Sequence, residues 1–218
     1  MDSSIFLIGI AGPSGSGKSH LAAELHQRMK RLGRQKELSI LNEDAYYRDT
    51  GEMSQGQRSK INFDHPDALE HDLLVKHLED LKTGKGISVP RYDYSTHRRK
   101  KETETFQPTP IVLLEGILIF HDRQISDRLD LKIFLDVPLE VCLARRLKRD
   151  TSQRGRTADS VLRQFEQTVR PMYFQFIEPS RKQANLVLPM DRENQVAVDF
   201  LFHALCGLVP KNDGNTQP

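Results

Sequence analysis

Cysteine is scarce in this chain. The 218 residues hold two, Cys142 and Cys206, with no metal-like spacing and each within an apolar-periodic segment. Buried free thiols in a reducing compartment are the expectation. An excess of one charge is also missing. The 32 basic and 30 acidic residues leave a formal net charge of +2, so no global field argues for nucleic acid or a membrane surface as partner. No apolar run approaches the ~18 residues of a membrane span. The first such run, Ile5–Ala11, leads into a glycine-rich turn rather than a cleavage site. Together these absences predict a soluble cytoplasmic protein. Internal repeats and low-complexity tracts are lacking too. Only a polar tail, 211–218, reads as disordered. The length suits one α/β domain, 1–210, able to bury a sizeable core.

What is present is concentrated near the N-terminus. Ile5-Phe6-Leu7-Ile8-Gly9-Ile10-Ala11 is of strand length, and a helical pattern runs from Ser19 to Leu32. Between them Gly12 to Ser19 fits G-x-x-x-x-G-K-[ST], the phosphate-binding P-loop, in the strand–turn–helix context that this motif requires. Gly12, Gly15 and Gly17 let backbone N–H groups turn inward around a phosphate, together with Ser14 and Ser16, and the helix N-terminus adds partial positive charge. Lys18 would reach the β- and γ-phosphates, Ser19 would bind Mg²⁺, and His20 would border the nucleotide. A nucleoside triphosphate ligand follows.

The rest alternates strands and helices. Glu37–Leu41 reads as a second strand ending in Asn42-Glu43-Asp44-Ala45-Tyr46-Tyr47. Asp67-Ala68-Leu69-Glu70 reads as a capping box, with Asp67 as N-cap of a helix carrying Leu69, Leu73, Leu78 and Leu81. Ile87–Tyr94 and Glu102–Phe106 could pair antiparallel around a basic turn, His97 to Lys101, giving a small β-hairpin insertion over about 85–107. Ile111–Leu114 and Leu131–Leu135 are unbroken apolar strands. Val141–Arg149 is helical, Thr151–Arg156 a polar connection, and Ala158–Glu178 a long helix broken or kinked at Pro171. Leu186–Leu188 and Gln195–Leu208 supply a last strand and helix. Unbroken apolar strands alternating with helices indicate a P-loop NTPase-type parallel sheet covered on both faces.

Ligands bind such sheets outside the carboxyl ends of the strands. Asp44, Glu115 and Asp136 stand at or near those ends. Asp44 could accept a proton from an attacking hydroxyl, and Glu115 occupies the place of a Mg²⁺-side carboxylate. Asp136, before Val137-Pro138, reads as a turn or cap residue. Arginines cluster at Arg145, Arg146, Arg149, Arg154 and Arg156. Either this is a solvated basic helix, or it is a lid, within about 145–178, that offsets charge on the transferring phosphoryl oxygens. A nucleic-acid patch would need interleaved aromatics, and Arg145–Arg156 contains none.

These residues carry a resemblance. Asn62-Phe63-Asp64-His65-Pro66-Asp67-Ala68, Pro90-Arg91-Tyr92-Asp93-Tyr94 with His97, Leu114-Glu115-Gly116-Ile117-Leu118, and Arg149-Asp150 with Arg154-Gly155-Arg156 together resemble the uridine (uridine–cytidine) kinase family. The stretch from Gln164 to Pro179 is similar to its bacterial members. The resemblance implies transfer of the γ-phosphoryl group of ATP or GTP, with Mg²⁺, to the 5′-hydroxyl of uridine or cytidine. It implies Asp44 as general base and Asp64 with Arg146 on the 2′- and 3′-hydroxyls. It implies Tyr92 and His97 at the pyrimidine edge, Phe63 and Tyr94 as aromatic walls, and Tyr47 and Gln164 bordering the nucleoside. Arg149, Arg154 and Arg156 would serve phosphates, while Ser19 and Glu115, with Asp44 beside them, would serve the metal. A homotetramer is implied by the same resemblance.

From the residues alone, Phe63 and Tyr94 read as core aromatics, His97 as a solvated turn histidine, and Asp64 as a loop aspartate. His71 and His77 receive no role. Departures from the family pattern are Ala45 after the aspartate, Arg91 before Tyr92, and Met190-Asp191-Arg192-Glu193 where relatives show Pro-Arg-Gly. Alternatives are another P-loop small-molecule kinase, phosphoribulokinase-like or pantothenate-kinase-like, or a nucleotide-dependent switch or RNA-binding protein. The Asn-Lys-x-Asp motif of GTPase switches is missing.

Overall fold

The strands of the main sheet are apolar on both faces because helices cover both faces. The computed structural model describes residues 5–58, 61–94 and 96–209, and the polar tail at 211–218 lies outside them. Five strands, β1 (Phe6–Ala11), β2 (Leu38–Asn42), β5 (Ile111–Gly116), β6 (Leu131–Asp136) and β7 (Leu186–Pro189), form a sheet in the order β2-β5-β1-β6-β7. All its pairings are parallel, with Phe6 opposite Ile111, Leu38 opposite Ile111, Ile8 opposite Leu131 and Ile133 opposite Leu186. Strand β1 lies at the centre, so the P-loop emerges mid-sheet, between the carboxyl ends of β5 and β6.

Alternate residues feed two cores. On one face Ile8, Ile10, Ile111, Leu113, Ile133 and Leu135 pack with Leu21, Leu25 and Met29 of α1 (Lys18–Arg31). Val198, Leu201 and Leu205 of α9 (Gln195–Leu208) join the same cluster. On the other, Leu7, Leu41, Val112, Leu114 and Phe134 pack with Leu74, Leu78 and Leu81 of α3 (His71–Lys82), and with Tyr46, Phe120 and Ile177. Leu25 and Met29 are fully buried. Truncating either to alanine costs about 2–5 kcal/mol, from lost transfer energy plus the cavity.

Short helices α2 (Gln55–Arg58) and α4 (Arg123–Ser126) lie in the connections. The hairpin is β3 (Ile87–Asp93) with β4 (Arg98–Phe106), antiparallel. Arg98 to Lys101 therefore belong to β4 rather than to a turn, since pairing with Tyr92 and Asp93 extends the strand past its apolar part. The capping box expected at Asp67 does not form. Pro66–Ala68 is a separate 3₁₀ turn capped by the His65 side chain, and α3 starts after Glu70, because an antiparallel bridge of Leu69 to Tyr47 holds the chain extended there.

Helix α5 (Leu139–Gln153) runs into the first half of the expected polar connection, as Thr151 and Ser152 return their hydroxyls to the carbonyls of Leu147 and Lys148, and 154–157 remains the connection to the next helix. The long helix is not broken at Pro171. Residues 158–180 stay helical through α6 (Ala158–Gln164), α7 (Arg170–Met172) and α8 (Glu178–Ser180), joined by π-helical turns Phe165–Val169 and Tyr173–Ile177. Each wide turn ends two residues before a proline, Pro171 or Pro179. The i→i+5 pattern accommodates the N–H that proline lacks and the carbonyl that its ring would strike.

Candidate active site

The P-loop turn rests on α5. A Cβ on Gly15 (φ 91°) would come 2.6 Å from the Cys142 carbonyl oxygen, so close approach and left-handed backbone both demand glycine. Lys18 begins α1, and its Nζ donates to the carbonyls of Gly12 at 2.9 Å and Pro13 at 3.1 Å. Burial lowers the Lys18 pKa, against the raising fields of Glu115, Asp44 and Glu43. The Ser19 hydroxyl donates to Glu115 Oε1 at 2.6 Å, joining the first helical turn to the end of β5.

Asp44 is carried by a 3₁₀ turn, Glu43–Tyr46, that ends β2. Asp44, Lys18 and Glu115 line one cavity of about 1570 Å³. Burial first, then the negative charges of Glu115 and Glu43, push the Asp44 pKa up to about 6, although Lys18 opposes the shift. The carboxylate is thus ionised near neutrality yet basic enough to take a proton.

The same cavity is lined by aromatic rings that meet from separate segments. Tyr47 packs edge-on against Phe63 at 5.3 Å and tilted against Tyr92 at 5.0 Å between centroids. Phe63 is stacked on His97 at 4.7 Å and 16°, and both rings line the cavity. His97 has φ 54° and is alone among the described non-glycine residues in positive φ. The Thr50 hydroxyl fixes that turn by donating to the His97 carbonyl at 3.1 Å. The Tyr92 hydroxyl is buried with no hydrogen-bond partner among the described residues. Tyr94 is half exposed and points its hydroxyl to Asp44 Oδ2, 3.5 Å away.

Asp64 and Arg146, both buried, face each other's fields over this cavity. Burial raises the Asp64 pKa, and the Arg146 charge opposes it. Arg146 donates to Ser14 Oγ and to Gln164 Oε1, and Gln164 also accepts from Arg156 at 2.6 Å. One side chain of the long helix thus ties Arg146 to Arg156.

The arginine cluster has its own anion. Asp150, fully buried, meets Arg149 Nε at 2.8 Å, Arg156 at 3.4 Å and Arg154 at 3.7 Å. Burial opposes its charge, but Arg149, then Arg146 and Arg154, hold its carboxyl below the usual range. Like-charge crowding is therefore relieved inside the protein. Arg145 stands apart, donating to the carbonyls of Ser16, Met190 and Asp191, so it clamps the P-loop to the loop after β7. Asp136 accepts from Arg181 at 2.8 Å at the strand end rather than capping α5.

Sequence reasoning passed over Glu43, Asp150, His71 and His77. Glu43 is fully buried beside Asp44, bonded to the Leu118 N–H and to His71. His77 pairs with the Tyr46 hydroxyl at 2.9 Å. The local sequence offers no signal for these partners, which lie 28 to 75 residues away for Glu43 and 31 for His77.

A P-loop facing a strand-end carboxylate is common to many phosphotransferases, and comparison with known proteins narrows it. The model of the Phosphoribulokinase / Uridine kinase family matches residues 7–197. The chain belongs to this family. The chain is 45% identical over 195 residues to the uridine kinases of Proteus mirabilis (strain HI4320) and Escherichia coli (strain K12), covering 89% of this chain and 92% of each relative. Among solved structures, a putative fructose transport system kinase from Silicibacter sp. TM1040 superposes with TM-score 0.69 at 18% identity, over 85% of this chain and 90% of that one. That likeness supports the fold alone. The family member described here is accordingly a kinase with a P-loop α/β fold. Among the described residues no helix is long and apolar enough to cross a membrane.

Proposed function

We propose that this kinase transfers the γ-phosphoryl group of ATP or GTP to the 5′-hydroxyl of uridine or cytidine. The observation that carries the reading is the shared cavity, lined by Asp44 and the P-loop lysine together with Tyr47, Phe63, Tyr92 and His97. A flat base needs such a pocket, and a sugar phosphate does not.

Asp44 accepts the 5′-hydroxyl proton as the oxygen attacks the γ-phosphorus, and Lys18 and the lid arginines stabilise charge on the transferring oxygens. Asp64 accepts from the ribose 2′- and 3′-hydroxyls and Arg146 donates to them. The buried Tyr92 hydroxyl is free to bond the pyrimidine edge. Burial, then Arg156 and Arg58, lowers the His97 pKa, so the ring is neutral at pH 7. It can donate from one nitrogen and accept at the other, which suits both the O4 of uridine and the N4–H₂ of cytidine.

The donor set fits Mg²⁺. Ser19 Oγ and Glu115 Oε1 are adjacent oxygens, and among the described residues no cluster of three or more His, Cys, Asp or Glu forms a closed cage. Mg²⁺ keeps waters and takes phosphate oxygens rather than an all-protein shell. Ser19 and Glu115 would hold it directly or through water, with Asp44 nearby, and bound there it would neutralise phosphate charge.

A phosphorylation screen of nucleosides and small alcohols with ATP and GTP tests the proposal. Turnover of uridine and cytidine is expected. Turnover of a sugar phosphate or pantothenate with nucleosides untouched would overturn the nucleoside reading.

A further inference from the structure

The turn that carries Asp44 is braced from behind by a buried relay. Glu43 is fully buried. Its Oε2 accepts from the Leu118 N–H at 3.0 Å, and its Oε1 lies 2.9 Å from His71 Nε2. The other His71 nitrogen, Nδ1, lies 3.0 Å from Asp122 Oδ2. Asp122 is itself held, as Oδ1 accepts from the Gln124 N–H at 2.8 Å. The Glu43 carboxylate also lies where a side chain on Gly116 would be, against the residue that follows Glu115. Three elements therefore converge on one carboxylate: the end of β2, the end of β5 and the first turn of α3.

Both ring nitrogens of His71 face carboxylates, an arrangement that favours the imidazolium, which can donate to each. Burial opposes that charge, but the hydrogen bond and charge of Glu43, then Asp122, outweigh it and raise the pKa. A cation between two anions costs less to bury than either anion alone.

We infer that His71 is a positioning residue for phosphoryl transfer, holding Glu43 against Gly116 and Leu118 so that the neighbouring Asp44 faces the attacking hydroxyl. This inference rests on Asp44 being the general base. A base released from its turn by a fraction of an ångström loses its near-attack geometry, while nucleotide binding at the P-loop is untouched. The relay is thus tied to kcat rather than to donor affinity.

Two substitutions at one position separate this from a merely structural role. The amide nitrogen of glutamine falls near the place of imidazole Nε2, and that of asparagine near Nδ1. His71→Gln keeps a donor for Glu43, while His71→Asn keeps only the link to Asp122. With uridine and ATP, His71→Asn is expected to lower kcat by roughly 10–100-fold with little change in the KM for ATP. His71→Gln is expected to retain most of the lost rate at a comparable melting temperature. Full kcat in His71→Asn, or losses in both variants that track melting temperature, would overturn the inference. If His71→Asn does not fold, Glu43 decides. Glu43→Gln keeps the reach to Leu118 and should be the faster, while Glu43→Asp keeps the charge without the reach; the reverse order overturns the inference. Asp44→Asn measured alongside tells the two claims apart. Full turnover there removes the base assignment, whereas a crippled Asp44→Asn beside a fully active His71→Asn removes only the positioning role.

Discussion

The Arg154 guanidinium lies over the Tyr94 ring, 5.6 Å from its centroid, and joins the arginine cluster after α5 to the end of β3. The same tyrosine points its hydroxyl at Asp44. Arg154 and Asp44 are therefore linked through one aromatic ring. Arg154 also pairs with Asp150, at 3.7 Å. In the proposed reaction the Arg154 charge acts on the transferring phosphoryl group, so Arg154→Ala should lower kcat more than it raises the nucleotide Kd. Steady-state kinetics beside equilibrium ATP binding checks this. A parallel loss in both would make Arg154 a binding residue.

Asp44→Asn should lower kcat by about 10²–10⁴-fold, the usual worth of a positioned base. In the native enzyme, kcat/KM should fall as pH drops through about 6, where Asp44 takes up a proton. A rate that is flat between pH 5 and pH 7, about one unit either side of that pKa, would remove Asp44 from the mechanism.

The same carboxylate should cost stability. Its pKa is raised from 3.8 to about 6 on folding. The folded state therefore binds the proton more tightly, and the stability present below the unfolded value is lost as pH rises through the folded one. Above that window the cost is about 2–3 kcal/mol. Asp44→Asn should accordingly melt higher than the native protein at pH 7–8, and denaturant titration at two pH values reads the difference.

Substrate choice tests the ribose contacts. Asp64 and Arg146 are buried, and a substrate without a 2′-hydroxyl leaves them under-satisfied at a cost of about 1.5–3 kcal/mol. 2′-Deoxyuridine should be disfavoured against uridine by roughly 10–100-fold in kcat/KM. Equal rates in competition would displace Asp64 from the sugar.

Gly116→Ala should destabilise the enzyme. Its Cβ would collide with the buried Glu43 carboxylate, and overpacking of this kind costs about 1–3 kcal/mol. Chemical denaturation measures the loss. An unchanged midpoint would show that Glu43 can move aside, against the bracing role of His71.

The sequence by itself determined the elements whose signals are local. The P-loop from Gly12 to Ser19 fixed a phosphate site, since glycine backbone and a helix N-terminus act within a few residues. Unbroken apolar runs announced the parallel strands, and strand-end positions picked out Asp44 and Glu115. Element ends were less legible. Arg98 and Arg99 carry no apolar pattern and are in a strand because Asp93 and Tyr92 lie opposite. The prolines at 171 and 179 were absorbed by wide helical turns, which nothing in residue type alone announces. Partners far apart in sequence were decided by tertiary structure alone. Asp150 became the anion among three arginines, and Glu43 reached across 75 residues to the Leu118 N–H. A buried charge is tolerated only where the fold supplies its counter-charge and donors, and that supply is set by packing rather than by neighbouring sequence.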